Sequence, residues 1–171
     1  MDASSVIRHE ARVLCLGNDI LADDALGIRV AEELRGHLPE SVDVVDSAES
    51  GLRLLDHLLD VPKVVVIDTV QTGRSAPGTI HELAEGSFTA VAGNSPHQLG
   101  LFDALALGRL LGMPVTEELV ILAVEAADCC TLGGQMHPAV RDAIPRVVER
   151  ARQHLESASR AAPARGIALA C

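Results

Sequence analysis

Acidic side chains follow three predicted strands at the point where each strand ends. Asp23 and Asp24 close the segment GNDILADD after the first strand, Asp46 ends the second strand, and Asp68 ends the third. Ligand sites of open α/β sheets lie outside the carboxyl ends of parallel strands. We therefore expect these carboxylates to share one edge of the sheet.

A histidine with the properties of a metal ligand lies in residues 94–100, NSPHQLG. Ser95 is suited to cap a helix and Pro96 to occupy its first turn, which places His97 in that turn. The positive end of a helix disfavours imidazolium. We therefore expect His97 to be neutral, with a lone pair available to a metal.

Asp24, Asp68 and His97 together could form an open three-ligand metal site. Two carboxylates and one imidazole suit borderline divalent ions such as Ni²⁺ and Zn²⁺, and leave positions for water or for groups of another protein. Structural explanations compete with this interpretation. Asp23 or Asp24 could cap the following helix, Asp68 could form a turn, and His97 could be an ordinary surface histidine.

The elements that must position these residues alternate between strand and helix. Apolar runs predict buried strands at residues 12–16, 42–46, 63–68 and 119–124, and an edge strand or hairpin arm at 79–83. Helical spacing predicts helices over residues 26–38, 51–59, 99–111 and 140–155, the last with a kink or restart at Pro145. This order predicts an α/β fold, a single three-layer αβα domain over residues 11–156 with a mostly parallel twisted central sheet. Residues 157–171 are predicted to form a flexible tail.

Length and charge exclude several classes of partner. The chain has 171 residues and a formal net charge of -10. This charge would repel nucleic acid or an anionic membrane surface. No apolar run approaches the roughly 18 residues of a membrane span, and the first residues lack the basic-then-apolar order of a signal peptide. We therefore expect a cytoplasmic protein of one domain.

Motifs of other enzyme classes do not occur in the sequence. GxGxxG and the phosphate loop are missing, which disfavours a nucleotide cofactor, and neither GxSxG nor HExxH is present. The cysteines form no CxxC pair and are interpreted as free thiols, with Cys15 buried in the first strand. None of the four is expected to be a nucleophile: Cys15, Cys129, Cys130 and Cys171.

Three segments in this order, GNDILADDALGIRVAEEL, VVVIDTV and SPHQLGLFDAL, resemble the endopeptidases that mature [NiFe]-hydrogenase large subunits. The resemblance spans roughly residues 11–155. By position it implies that Asp24, Asp68 and His97 form the nickel-recognition site. Many relatives carry glutamate at the position of Asp24. The resemblance also makes Asp46 a candidate helper close to the site.

The reaction implied by this resemblance uses a metal that belongs to the substrate. Nickel already inserted in the large-subunit precursor would dock transiently against the three ligands, and the C-terminal extension would then be removed by hydrolysis. No organic cofactor is implied. Two alternatives would use the same ligands: a non-catalytic nickel-sensing chaperone of the large subunit, and a small-molecule hydrolase with a resident metal.

Overall fold

Strands and helices alternate along the chain in the predicted order. The computed structural model describes residues 9–84 and 96–161, with side chains placed for 9–83 and 100–156. The strands are β1 (Ala11–Leu16), β2 (Val42–Ser47), β3 (Lys63–Val70), β4 (Ile80–Ala84) and β5 (Glu118–Glu125). The helices are α1 (Leu26–Leu34), α2 (Pro96–Leu110), α3 (Pro138–Arg141) and α4 (Ile144–Ala161), with 3₁₀ segments at Asp23–Ala25 and Gly51–Leu58.

The five strands form one mostly parallel sheet with the order β2-β1-β3-β5-β4. β1 pairs with β2 and β3 in parallel, and β3 pairs with β5 in parallel. β4 is antiparallel to β5 at the edge, which confirms the predicted edge strand. All eight residues of β3 are buried, as expected of a central strand with apolar side chains on both faces.

The core lies in two layers, one on each face of the sheet. Side chains alternate between the faces of a strand, so Ile67 packs with α1 and α4 whereas Val66 packs with α2 and the 3₁₀ segment Gly51–Leu58. These are called below the α1 face and the α2 face. Helical segments therefore cover both sides of the sheet, and the predicted three-layer αβα architecture is confirmed.

The first helix is shorter than the predicted residues 26–38. α1 ends at Leu34 because Arg35 is extended and Gly36 has a φ of 76°. Leu38 still packs against the core on the α1 face. Leu38 lies four positions after Leu34, so its apolar side chain continues the helical spacing although the helix has already ended. The apolar pattern therefore predicted a longer helix.

Pro145 marks a restart, as predicted, rather than a kink in a continuous helix. α3 ends at Arg141 and α4 begins at Ile144, so proline occupies the first turn, where its missing N–H is tolerated. α4 continues to Ala161, past the predicted boundary at residue 156. Residues 162–171 lie outside the described residues, and the flexible tail stays a prediction.

Within residues 9–84 and 96–161, no helix is long and apolar enough to cross a bilayer. α4, which has 18 residues, carries charged side chains that include Arg146, Glu149 and Arg150. The cytoplasmic location inferred from the sequence stays a prediction.

Candidate metal-ligating site

The turn after β1 folds back on itself and places Asp24 at the carboxyl edge of the sheet. Gly17 has a φ of 151°, and a Cβ atom there would lie 2.1 Å from the carbonyl oxygen of Asp24. The N–H of Asn18 donates to the same carbonyl at 3.2 Å. Glycine is therefore required at this turn, because any side chain would displace the segment that carries Asp24.

Asp24 is buried at this edge and held by a threonine of the central strand. Asp24 is 7% exposed, and its Oδ1 accepts a 2.7 Å hydrogen bond from Thr69 Oγ1. Thr69 itself is 3% exposed. A hydrogen bond to a charged acceptor in such a site is stronger than one between neutral groups.

The Asp68 side chain contacts the backbone N–H of the same threonine. The residue is fully buried, and Asp68 Oδ1 accepts the Thr69 N–H at 2.8 Å. Because side chains alternate between the two faces along β3, the Asp68 side chain leaves the strand on the α2 face and the Thr69 side chain on the α1 face. The structure thus brings Asp24 and Asp68 to one residue, although they are 44 positions apart and come from opposite faces of the sheet.

His97 lies in the first turn of α2, which begins at Pro96 as predicted. Its side chain lies outside the described residues, as does Ser95. Among the side chains that are described, no group of three or more His, Cys, Asp or Glu residues is arranged to hold a metal ion. The His97 side chain is not among the described side chains, so metal binding by Asp24, Asp68 and His97 stays a prediction.

Asp23 has a structural role that differs from helix capping. It is fully buried, and its two carboxylate oxygens accept the N–H groups of Ala127 at 2.7 Å, Asp128 at 2.8 Å and His137 at 2.6 Å. Neither Asp23 nor Asp24 caps α1 through its side chain. Asp23 instead fastens the segment after β5 to the turn after β1.

Backbone hydrogen bonds join the same two segments. The Ala22 N–H donates to the Thr131 carbonyl at 3.1 Å, and the Gly133 N–H donates to the Ile20 carbonyl at 2.7 Å. This pairing brings Cys129 Sγ to 3.7 Å from Thr69 Oγ1. Sequence reasoning gave the segment after β5 no role, because its contacts join residues more than one hundred positions apart.

The thiol of Cys129 is held in its protonated form by these surroundings. Burial raises its pKa to about 12; the nearby charges of Asp24, Asp23 and Asp68 act in the same direction, against the hydrogen bond between this thiol and the Thr69 hydroxyl oxygen. Little thiolate is present at neutral pH, and thiolate is the nucleophilic form of cysteine.

Glu125 is a further buried carboxylate at this edge that the sequence analysis did not identify. It is 1% exposed and accepts the N–H groups of Thr72 and Gly73 at 2.8 Å each, the Thr72 hydroxyl at 2.7 Å, and His81 Nε2 at 3.3 Å. Burial acts to raise its pKa, but these hydrogen bonds outweigh burial and hold the pKa below its usual range. Glu125 therefore anchors the loop after β3. Its position directly after the predicted strand 119–124 was the signal that could have found it.

Asp46 lies apart from Asp24 and Asp68. Its strand, β2, is separated from β3 by β1, and its carboxylate forms an ion pair with Arg35 just after α1. No hydrogen bond between described residues joins Asp46 to Asp24 or Asp68. A helper role for Asp46 stays a prediction.

The fold and the site define a three-layer α/β protein with buried carboxylates at the carboxyl edge of its parallel strands. A family profile described as HycI, hydrogenase maturation protease, matches residues 28–154, which include Asp68 and His97. The chain belongs to the hydrogenase maturation protease family.

Individual relatives agree with this assignment. Hydrogenase 2 maturation protease of Escherichia coli is 36% identical over 58% of this chain, and the match spans 63% of that relative. Hydrogenase expression/formation protein HoxM of Azotobacter vinelandii is 31% identical over 81% of this chain and 72% of its own length. The solved structure of the hydrogenase maturating endopeptidase HybD from E. coli has a TM-score of 0.76 and 29% identity, covering 86% of this chain and 93% of that one.

Proposed function

We propose that this protein is an endopeptidase that binds the nickel-loaded large-subunit precursor of a [NiFe]-hydrogenase and removes its C-terminal extension. The observation that carries the proposal is the meeting of Asp24 and Asp68 at Thr69, at the edge where α/β proteins bind ligands. Membership of a family of maturation proteases supports peptide hydrolysis as the reaction.

The chemistry of the predicted ligands supports a cation as part of the substrate. Asp24 is 7% exposed and Asp68 is fully buried, and each accepts a hydrogen bond from Thr69. Hydrogen-bonded carboxylates of this kind are typical ligands of a divalent ion. Nickel accepts both carboxylate and imidazole donors, so a nickel ion delivered by the substrate would suit Asp24, Asp68 and His97.

Nickel would act in this proposal as substrate cargo and not as a resident cofactor. Asp24, Asp68 and His97 would hold the nickel of the precursor and thereby place the neighbouring peptide bond. Hydrolysis of that bond consumes one water: its oxygen adds to the carbonyl carbon, the C–N bond breaks, and the amine leaves with a proton. A precursor without nickel would lack the group that the site recognises.

Mass spectrometry of the precursor tests this proposal. Nickel-loaded and nickel-free large subunit are incubated with and without the protein, and the mass of the large subunit is followed. We expect loss of the C-terminal peptide only from the loaded precursor in the presence of the protein. Equal cleavage of nickel-free precursor would refute the nickel-dependent account. Binding without any cleavage would identify a chaperone, and firmly bound metal together with small-molecule hydrolysis would identify a resident-metal hydrolase.

Thiol substitutions test whether the peptidase uses a cysteine. Cys129→Ala is expected to leave cleavage of the loaded precursor nearly unchanged, because the pKa of this thiol is raised to about 12. Cys15→Ala is expected to lower the melting temperature without slowing cleavage by the folded protein, since Cys15 is fully buried in β1 and its loss leaves a cavity. Cleavage rates and melting curves measure the two effects. A folded Cys129→Ala variant without activity would point to a thiol nucleophile.

A further inference from the structure

Thr69 is hydrogen-bonded to both predicted carboxylate ligands. Its hydroxyl donates to Asp24 Oδ1 at 2.7 Å and its backbone N–H donates to Asp68 Oδ1 at 2.8 Å. The residue is 3% exposed, so water does not compete for these bonds. One residue is therefore hydrogen-bonded to two side chains that are 44 positions apart in the sequence.

The position of Thr69 in β3 explains why it can do this. Neighbouring residues of a strand point to opposite faces, so the Thr69 hydroxyl reaches the α1 face, where Asp24 precedes α1. Its N–H donates to the carboxylate of Asp68, whose side chain leaves the strand on the α2 face. Thr69 thus connects the two faces at the end of the sheet.

The direction of these hydrogen bonds suits metal ligation. A hydroxyl has one proton, and Thr69 gives it to Asp24 while the Cys129 thiol lies 3.7 Å from the same oxygen as a weak donor. Asp24 Oδ1 is thereby engaged, and Oδ2 makes no hydrogen bond to the described residues. An anchored carboxylate presents its second oxygen to a cation in one orientation, as outer hydrogen-bonding partners do in metal sites.

We propose that Thr69 is a positioning residue that orients Asp24 and Asp68 for the nickel of the precursor. The inference rests on the proposed function, since it concerns the same site. Loss of such a partner costs about 10- to 100-fold in metal affinity or activity. The sequence segment VVVIDTV contains Thr69 directly after the predicted ligand Asp68. Threonine there is therefore expected to be needed for its hydroxyl and not for strand propensity.

The chain offers a matched control in Thr116. This threonine is 1% exposed, and its hydroxyl donates to the Pro62 carbonyl at 3.0 Å. It lies just before β5, at the amino edge of the sheet and thus at the end opposite Thr69. Thr116→Val therefore removes a buried threonine hydroxyl that has no contact with Asp24 or Asp68.

The experiment compares Thr69→Val, Thr69→Ser and Thr116→Val in the full-length protein. Valine keeps the shape of threonine and the backbone N–H to Asp68 but removes the hydroxyl bond to Asp24, whereas serine keeps that hydroxyl. We measure kcat/KM on nickel-loaded precursor, the dissociation constant for Ni²⁺ by calorimetric titration with NiCl₂ alone, and melting temperature. Thr69→Val is expected to lose about 10- to 100-fold in kcat/KM and in Ni²⁺ affinity.

The controls decide between positioning and simple stabilisation. Thr69→Ser and Thr116→Val are expected to keep most of the wild-type kcat/KM, although Thr116→Val should lower the melting temperature. The inference is overturned if Thr69→Val cleaves as fast as wild type, if Thr69→Ser falls as far as Thr69→Val, or if Thr116→Val loses as much activity. Wild-type protein that cleaves no loaded precursor would instead refute the proposed function, which is a separate outcome.

Discussion

Asp68→Asn is expected to lose more than 100-fold in cleavage of the nickel-loaded precursor, beyond the roughly 10- to 100-fold cost of removing an outer hydrogen-bonding partner. Asparagine has the shape of aspartate and can still accept the Thr69 N–H, so the packing around this buried side chain is kept. What disappears is the negative charge that would bind nickel. Loss of activity without loss of fold would therefore separate ligation from packing.

Two companion variants sharpen this expectation. His97→Ala removes the imidazole ligand and should reduce cleavage as severely, because two carboxylates still attract a cation but hold nickel less selectively. Asp24→Glu keeps the charge and moves it by one methylene, and should retain appreciable activity. Rates on loaded and nickel-free precursor, with melting curves for each variant, test the order. Wild-type rates in Asp68→Asn and His97→Ala would remove both residues from the proposed site.

The positions of the strands along the chain could be predicted from the sequence, because buried strands are rich in apolar side chains. β3 and β5 carry near-continuous apolar runs, which indicate central strands covered on both faces. The end of α1 was less accessible, since Leu38 continues the apolar spacing after the helix has ended. The spacing of apolar residues indicates which side chains are buried, but it does not indicate the backbone conformation that buries them.

Only part of the site could be predicted from the sequence. The resemblance assigned Asp24 and Asp68, and the structure brings both to Thr69. Asp23 and Asp24 are adjacent acidic residues after the same turn, and nothing in their local sequence separates their roles. Their roles differ because backbone N–H groups of the segment after β5, more than one hundred positions away in the sequence, donate hydrogen bonds to Asp23.

Asp23→Ala is expected to destabilise the fold strongly. Its carboxylate accepts three backbone N–H groups at 2.6 to 2.8 Å, and alanine would leave all three without this acceptor. Hydrogen bonds to charged groups contribute about 1.5–3 kcal/mol each and are not additive, so we expect a loss on the order of 3 kcal/mol or more. For a chain of this size that corresponds to a melting temperature lower by roughly 6–12 °C.

Asp128→Ala is the matched control for this effect, because Asp128 belongs to the same segment and accepts the N–H groups of Cys130 at 2.9 Å and Thr131 at 3.0 Å. These bonds are exposed, so water can replace the carboxylate and the melting temperature should change little. Asp23→Asn should fall between Asp23→Ala and wild type, since its amide oxygen still accepts. Thermal unfolding of the three variants measures the order. Equal melting temperatures for Asp23→Ala and Asp128→Ala would show that Asp23 does not hold the segment after β5 in place.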